Sequence, residues 1–168
     1  MVLKLLILCA ASYSLDRTDT KTQWFGICSN MDHVIRYSNE LDLSPETIIV
    51  LSWHESRWRA GDKSDVGACG MMQVVPKYTE PRVTCNDLKD PEIGLLYGSK
   101  ALRMWLNKTS GNLTRAFCHY NCGNDCYTQG LEYSRNIMRT LKKFNKIVTR
   151  IENRVNTLKQ YIISSVLF

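Results

Sequence analysis

Apolar positions recur along most of this chain with the three-to-four-residue rhythm of α-helices, broken by one glycine-rich stretch. Ser29 followed three residues later by Asp32 reads as a helix start, with Val34, Ile35 and Leu41 as a buried stripe reaching Asp42. Ser44, Pro45 and Glu46 then supply an N-cap, a first-turn proline and a first-turn acid. They open a second helix through Ile48, Ile49, Leu51 and Ser52 to about Trp58. Between Ala60 and Thr84 the rhythm lapses. Gly61, Gly67, Gly70, Pro76 and Pro81 punctuate it around the apolar segment Cys69 to Val75, which predicts an ordered loop with a short strand or turn packed near the second helix. Asp90-Pro91-Glu92 repeats the cap logic for a third helix through about Leu106, and Asn112 or Ser110 opens a short fourth ending near Gly123. From about Gln129 a last helical pattern runs on, with no glycine or proline after Gly130 to break it. Leu141, Phe144, Val148, Ile151, Val155, Leu158 and Ile162 form an unbroken heptad seam within it.

These elements predict a mainly α protein. A chain of 168 residues, 44% of them hydrophobic and only four of them proline, can bury one sizeable core but hardly two. The reading divides it into residues 1–14, a linker over 15–28, a main domain over 29–140 and a basic amphipathic helix over 141–168. Met1 to Ser14 carries Lys4 and the short apolar run Leu5–Ala11, then small residues suited to cleavage after Ala11 or Ser14, which reads as an export signal. The alternative is an ordinary N-terminal helix or strand, since the run is far short of the ~20 residues that span a bilayer.

Charge changes the picture of the tail only. The formal net charge of +6 resolves into +7 from Arg135 to Phe168 and −1 over residues 1–134, so the main domain has no reason to bind a polyanion.

If Cys9 leaves with the leader, the six cysteines Cys28, Cys69, Cys85, Cys118, Cys122 and Cys126 remain, an even count that favours disulfides in an oxidising compartment. Connectivity does not follow from spacing; Cys69 with Cys85 is the favoured pair because it would staple the glycine-rich loop. Cys118, Cys122 and Cys126 with His119 invite a zinc reading, but no Cys-x-x-Cys pair accompanies them, and no metal is expected.

For chemistry, Glu55 stands out in Trp53-His54-Glu55-Ser56-Arg57-Trp58, an aromatic setting that desolvates a carboxyl group and raises its pKa. A lone glutamate near a helix end is commonly a solvated or ion-paired side chain, here with Arg57 or Arg59. What singles it out is the ordered series that follows: Ser64, Gly67, Gly70-Met71-Met72-Gln73-Val74, Pro76, Asp90-Pro91, Gly98, Tyr120-Asn121-Cys122-Gly123 and Tyr133. Over residues 29–140 this series resembles the soluble lytic transglycosylase domain, a relative of goose-type lysozyme.

The resemblance implies a lysozyme-like α-helical domain with a glycine-rich loop, and it implies roles. Glu55 would be general acid and then general base, Ser64, Met72 and Gln73 would line the substrate cleft, Tyr120 would lie near the catalytic carboxylate, Asn121 would hold loop or substrate, and Tyr133 would line the same cleft. Gln73 and Asn121 could equally anchor loops without touching a ligand, and Met71 and Met72 could be core filling. His119, beside Tyr120, is expected to point away from the cleft. Met71, Val75, His119 and Cys122 depart from the usual residues of the family without removing a catalytic group.

With one carboxylate where most glycosidases use two, the resemblance implies cleavage of peptidoglycan glycan strands with closure of a 1,6-anhydro ring and no cofactor. The rivals are a hydrolase of lysozyme or chitinase type using Asp62 or Asp65, a non-catalytic envelope-binding protein, and a nucleic-acid binder; the neutral main domain speaks against the last. Export to the periplasm or exterior, or carriage on a virion, fits the leader and the cysteines. The sequons at Asn107 and Asn112 matter only in a eukaryotic secretory host. The seam of the tail, flanked by Lys142, Lys143, Lys146, Arg150, Arg154 and Lys159, should self-associate weakly and favour an acidic protein or an anionic envelope surface, unless it folds back on the domain.

Overall fold

The computed structural model describes residues 2–15 and 22–166. Among the described residues eight α-helices follow one another: α1 (Val2–Ser12), α2 (Thr22–Cys28), α3 (Met31–Glu40), α4 (Pro45–Ser56), α5 (Cys85–Leu88), α6 (Pro91–Lys108), α7 (Leu113–Cys122) and α8 (Thr128–Val166). A 3₁₀ turn, Pro76–Tyr78, lies in the loop between α4 and α5. The only β pairing among the described residues is two isolated bridges, Lys63 with Cys69 and Cys69 with Val74, so the glycine-rich loop holds a turn rather than a strand. The mainly α architecture is as expected.

Local chemistry sets four of the helix starts. The Ser44 side chain accepts from Thr47 N at 3.1 Å, Asp90 Oδ1 accepts from Ile93 N at 3.1 Å, and Asn112 Oδ1 accepts from Arg115 N at 3.0 Å. Thr84 and Asp87 close a reciprocal capping box on the short α5, an element not foreseen. Two boundaries differ from expectation. Ser29 does not cap α3, because its hydroxyl bonds back to Phe25 O at the end of α2, itself a helix within the expected linker. The second helix stops at Ser56 rather than Trp58, because Arg57 turns left-handed.

The core gathers Ile48, Ile49, Val50 and Leu51 from α4, Leu95 and Leu102 from α6, Ala116 and Phe117 from α7, and Ile137, Phe144 and Val148 from α8. Helix α4 is buried nearly all round, which is why its apolar residues run consecutively instead of forming one stripe. Helix α8 crosses residues 140 and 141 without interruption. Its seam is buried at Leu141, Phe144 and Val148, partly buried at Ile151 and Val155, and exposed from Leu158 onward.

Residues expected to be an export signal form a helix built into this core. Leu8 and Ala11 are fully buried, Ile7 nearly so, and α1 packs against α2, α3 and α8. Trp24 Nε1 donates to Cys9 O at 2.8 Å, and Cys9 is disulfide-bonded to Cys28. Burial of Ile7 and Leu8 contributes roughly 1.5–3 kcal/mol each. Residues 16–21 of the expected linker, like Met1 and residues 167–168, lie outside the described residues.

The cysteine expectations divide. Cys69 pairs with Cys85 as anticipated, and Cys118 pairs with Cys126. The even count without Cys9 is corrected: Cys9 takes Cys28, and Cys122 is the free thiol. Cys118 and Cys122 both lie on α7, and the Cys126 loop folds back to the former, so Cys122 has no third partner.

Candidate active site

Helix α4 ends in two consecutive left-handed residues, Arg57 at φ 56° and Trp58 at φ 61°. Such backbone costs about 1 kcal/mol or more per non-glycine residue. Here it is offset by Trp58, which tucks beneath the helix at 2% exposure and donates its indole N–H to Ile49 O at 2.9 Å. The reversal leaves Glu55 on the last turn of α4, next to the point where the helix ends.

The loop that forms one wall is fastened to this end. Ser56 Oγ donates to Met71 O at 2.8 Å, the Cys69–Cys85 disulfide ties the loop to α5, and Gly70, at φ +79°, passes so near α5 that a Cβ would stand 1.9 Å from Leu88 O. Met72 is fully buried against Gly98 of α6, where a Cβ would meet its side chain at 2.4 Å. Its backbone carbonyl, not its thioether, reaches the site: Tyr120 Oη donates to Met72 O at 2.7 Å.

Glu55 has one hydrogen-bond partner among the described residues, Tyr133 Oη, which donates to Glu55 Oε1 from α8. Burial pushes the Glu55 carboxyl up to about 7, with the Tyr133 hydrogen bond acting against that rise. Both tyrosines are held well above the ordinary phenol range, first by burial and then by the neighbouring Glu55 charge. They therefore remain neutral donors, and Glu55 is poised to carry or release a proton near neutrality.

Other titratable groups are engaged elsewhere. Asp62 is gripped by Arg59 at 2.8 Å and Asp65 is exposed, so neither reaches toward Glu55 through a hydrogen bond. His119 stacks on Trp105 at 5.1 Å and bonds through Nδ1 to Gly123 O at 2.8 Å, a structural position at the end of α7. No group of three or more His, Cys, Asp or Glu among the described residues could hold a metal ion.

The structure thus brings Glu55, Tyr120, Tyr133 and the Met72 carbonyl together. Ser64 and Gln73 sit on the adjoining loop with their polar atoms turned inward: Ser64 Oγ accepts from Ala68 N at 3.1 Å, and Gln73 Nε2 donates to Gly70 O at 3.0 Å. Asn121 is exposed on α7, and Cys122 Sγ donates to its Oδ1 at 3.3 Å. Two participants escaped the sequence reading. His54, whose pKa burial and then Arg57 lower to about 4, bonds through Nε2 to Thr140 Oγ1 at 2.9 Å and meets the Tyr133 ring edge-on at 6.4 Å. Arg57 lies over the Trp53 ring at 3.6 Å. Both lie in the Glu55 motif, but the partners of His54 on α8 and the stacking of Arg57 on Trp53 exist only in the folded chain.

The transglycosylase SLT domain model matches residues 32–146, from the start of α3 to the middle of α8. The chain belongs to the transglycosylase SLT domain family. Its fold is similar to the X-ray structure of an inactive mutant of the lytic transglycosylase Slt from Pseudomonas aeruginosa, with a TM-score of 0.63 and 18% identity over 70% of this chain. This chain corresponds to 24% of the length of that protein. The SLT region begins after α1 and α2, so the Cys9–Cys28 staple and the distal half of α8 lie outside the matched residues.

Proposed function

We propose that this SLT domain is a lytic transglycosylase that cuts the β-1,4 bond between N-acetylmuramic acid and N-acetylglucosamine in peptidoglycan. One observation carries the reading: a desolvated carboxyl group, Glu55, poised near neutrality and hydrogen-bonded to a tyrosine. A two-carboxylate glycosidase needs its partner acid at a defined separation. Asp62, the nearest candidate in sequence, is committed to Arg59.

In the proposed reaction protonated Glu55 gives its proton to the glycosidic oxygen as the bond from that oxygen to the muramyl C1 breaks. The substrate's own N-acetyl group stabilises the cationic centre. Glu55, now a carboxylate, takes the proton of the muramyl C6 hydroxyl, whose oxygen bonds to C1 and closes the 1,6-anhydro ring. Glu55 ends protonated as it began, and no water is consumed. Tyr133 stabilises the carboxylate stage, and Tyr120, anchored on Met72 O, keeps the loop closed over it. Ser64, Gln73 and Asn121 would offer their remaining hydrogen-bonding capacity to the sugars.

Three disulfides among the described residues fit an oxidising setting, the exterior, a periplasm or a virion, as the place of action. The direct test of the residue assignment is Glu55→Gln, which keeps size and removes the transferable proton. Glycan cleavage should fall at least ~10²-fold with the fold unchanged by circular dichroism. Activity near that of the parent would reject Glu55 as the acid.

A further inference from the structure

Helix α8 outlasts the domain it belongs to. It spans 39 residues, and its last fully packed core position is Val148, so about 25 Å of helix extends beyond the core at 1.5 Å per residue. Two features of this helix remain unused by the cleft.

The first is a cationic face. Arg135, Arg139, Lys142, Lys146, Arg150 and Arg154 recur every three or four residues on one side of α8, all exposed, and line an open groove along it. None of them forms an ion pair, since the four ion pairs among the described residues lie elsewhere. The acids of α8 are Glu132 and Glu152 alone. The second is an apolar tip. Leu158, Tyr161, Ile162 and Ile163 are exposed by 61%, 72%, 58% and 60%, clustered within two turns and flanked by Arg154 and Lys159.

We infer that α8 docks the protein on an anionic lipid surface, its distal apolar tip entering the headgroup boundary while the cations lie against phosphate headgroups. Charge complementarity calls for an anionic partner, and the tip decides its kind. A soluble polyanion would satisfy the cations and leave four large apolar side chains in water, whereas a bilayer interface takes both. A second copy of the helix would bring like-charged flanks together along the seam. No helix among the described residues is long and apolar enough to cross a membrane. This inference stands apart from the glycan chemistry, because none of its residues contacts Glu55, Tyr120 or Tyr133.

Co-sedimentation of the full chain with vesicles tests it, comparing phosphatidylcholine alone with phosphatidylcholine containing phosphatidylglycerol, at low and high salt. Partitioning is expected on the anionic vesicles only, weakening as salt rises. Joint replacement of Lys142, Lys146, Arg150 and Arg154 by alanine should reduce it about a hundredfold or more. Ile162→Ser with Ile163→Ser should reduce it at unchanged charge, while cleavage of soluble glycan fragments stays at the parental rate in both variants. Absence of partitioning, equal partitioning on neutral vesicles, concentration-dependent dimerisation abolished by the Ile162 and Ile163 changes, or binding to soluble polyphosphate as tight as to vesicles and indifferent to those changes would each overturn the assignment.

Discussion

Tyr133 on α8 donates a hydrogen bond to Glu55 on the last turn of α4, across 78 residues of sequence. The contact joins the acid to the helix whose far end leaves the domain. It is also the one interaction that lowers the Glu55 pKa against the effect of burial.

Tyr133→Phe removes that donor and keeps the ring. The carboxyl pKa should then rise above its present value of about 7, moving the alkaline limb of the pH–rate profile for glycan cleavage to higher pH. The rate at the optimum should fall roughly 10-fold or more, since the carboxylate stage loses its stabilising hydrogen bond. A profile superimposable on that of the parent would show that Tyr133 does not tune Glu55.

Stability should carry the same signature. The folded-state pKa of Glu55 lies above its ordinary value of 4.5, so between about 4.5 and 7 the folded protein binds a proton that the unfolded chain has released. Stability therefore falls as pH rises through that window, by up to about 3 kcal/mol, and the penalty is fully present above it. Glu55→Gln is free of this penalty. Urea melts should show the variant gaining on the parent with rising pH, the difference levelling off above about pH 7; a constant difference across the window would contradict a raised carboxyl pKa at Glu55.

Thiol counting checks the covalent frame. Unreduced, denatured protein retaining Cys9 should expose one reactive thiol, Cys122, and peptide mapping should recover Cys9 linked to Cys28. Cys122→Ser should leave stability nearly unchanged. Replacing Cys69 and Cys85 together by serine should cost about 3 kcal/mol, the scale for a loop of this length. Recovery of Cys122 in a mixed disulfide with Cys118 or Cys126 would revise the pairing.

Much of this was legible in the sequence where the physics is local. Ser44, Asp90 and Asn112 each accept from a backbone N–H three residues on, so the starts of α4, α6 and α7 could be read from a few neighbouring letters. The family motifs likewise pointed to Glu55, Tyr120 and Tyr133, which the fold brings together. What was not legible depends on distant partners. Ser29 resembles a cap for α3 but spends its hydroxyl on α2, and the pairing of Cys9 with Cys28 arises only once α1 packs beside α2. Met72 serves the site through its carbonyl, which no pattern of side chains reveals.

In the proposed reaction one carboxyl group, acting first as acid and then as base, closes an anhydro ring on the muramyl sugar. Mass spectrometry of the soluble fragments from purified peptidoglycan measures this most directly. Muramyl products lighter than hydrolytic ones by one water are expected from the parent and should be absent with Glu55→Gln. Fragments carrying the full mass of a reducing-end sugar, with water as the nucleophile, would contradict it.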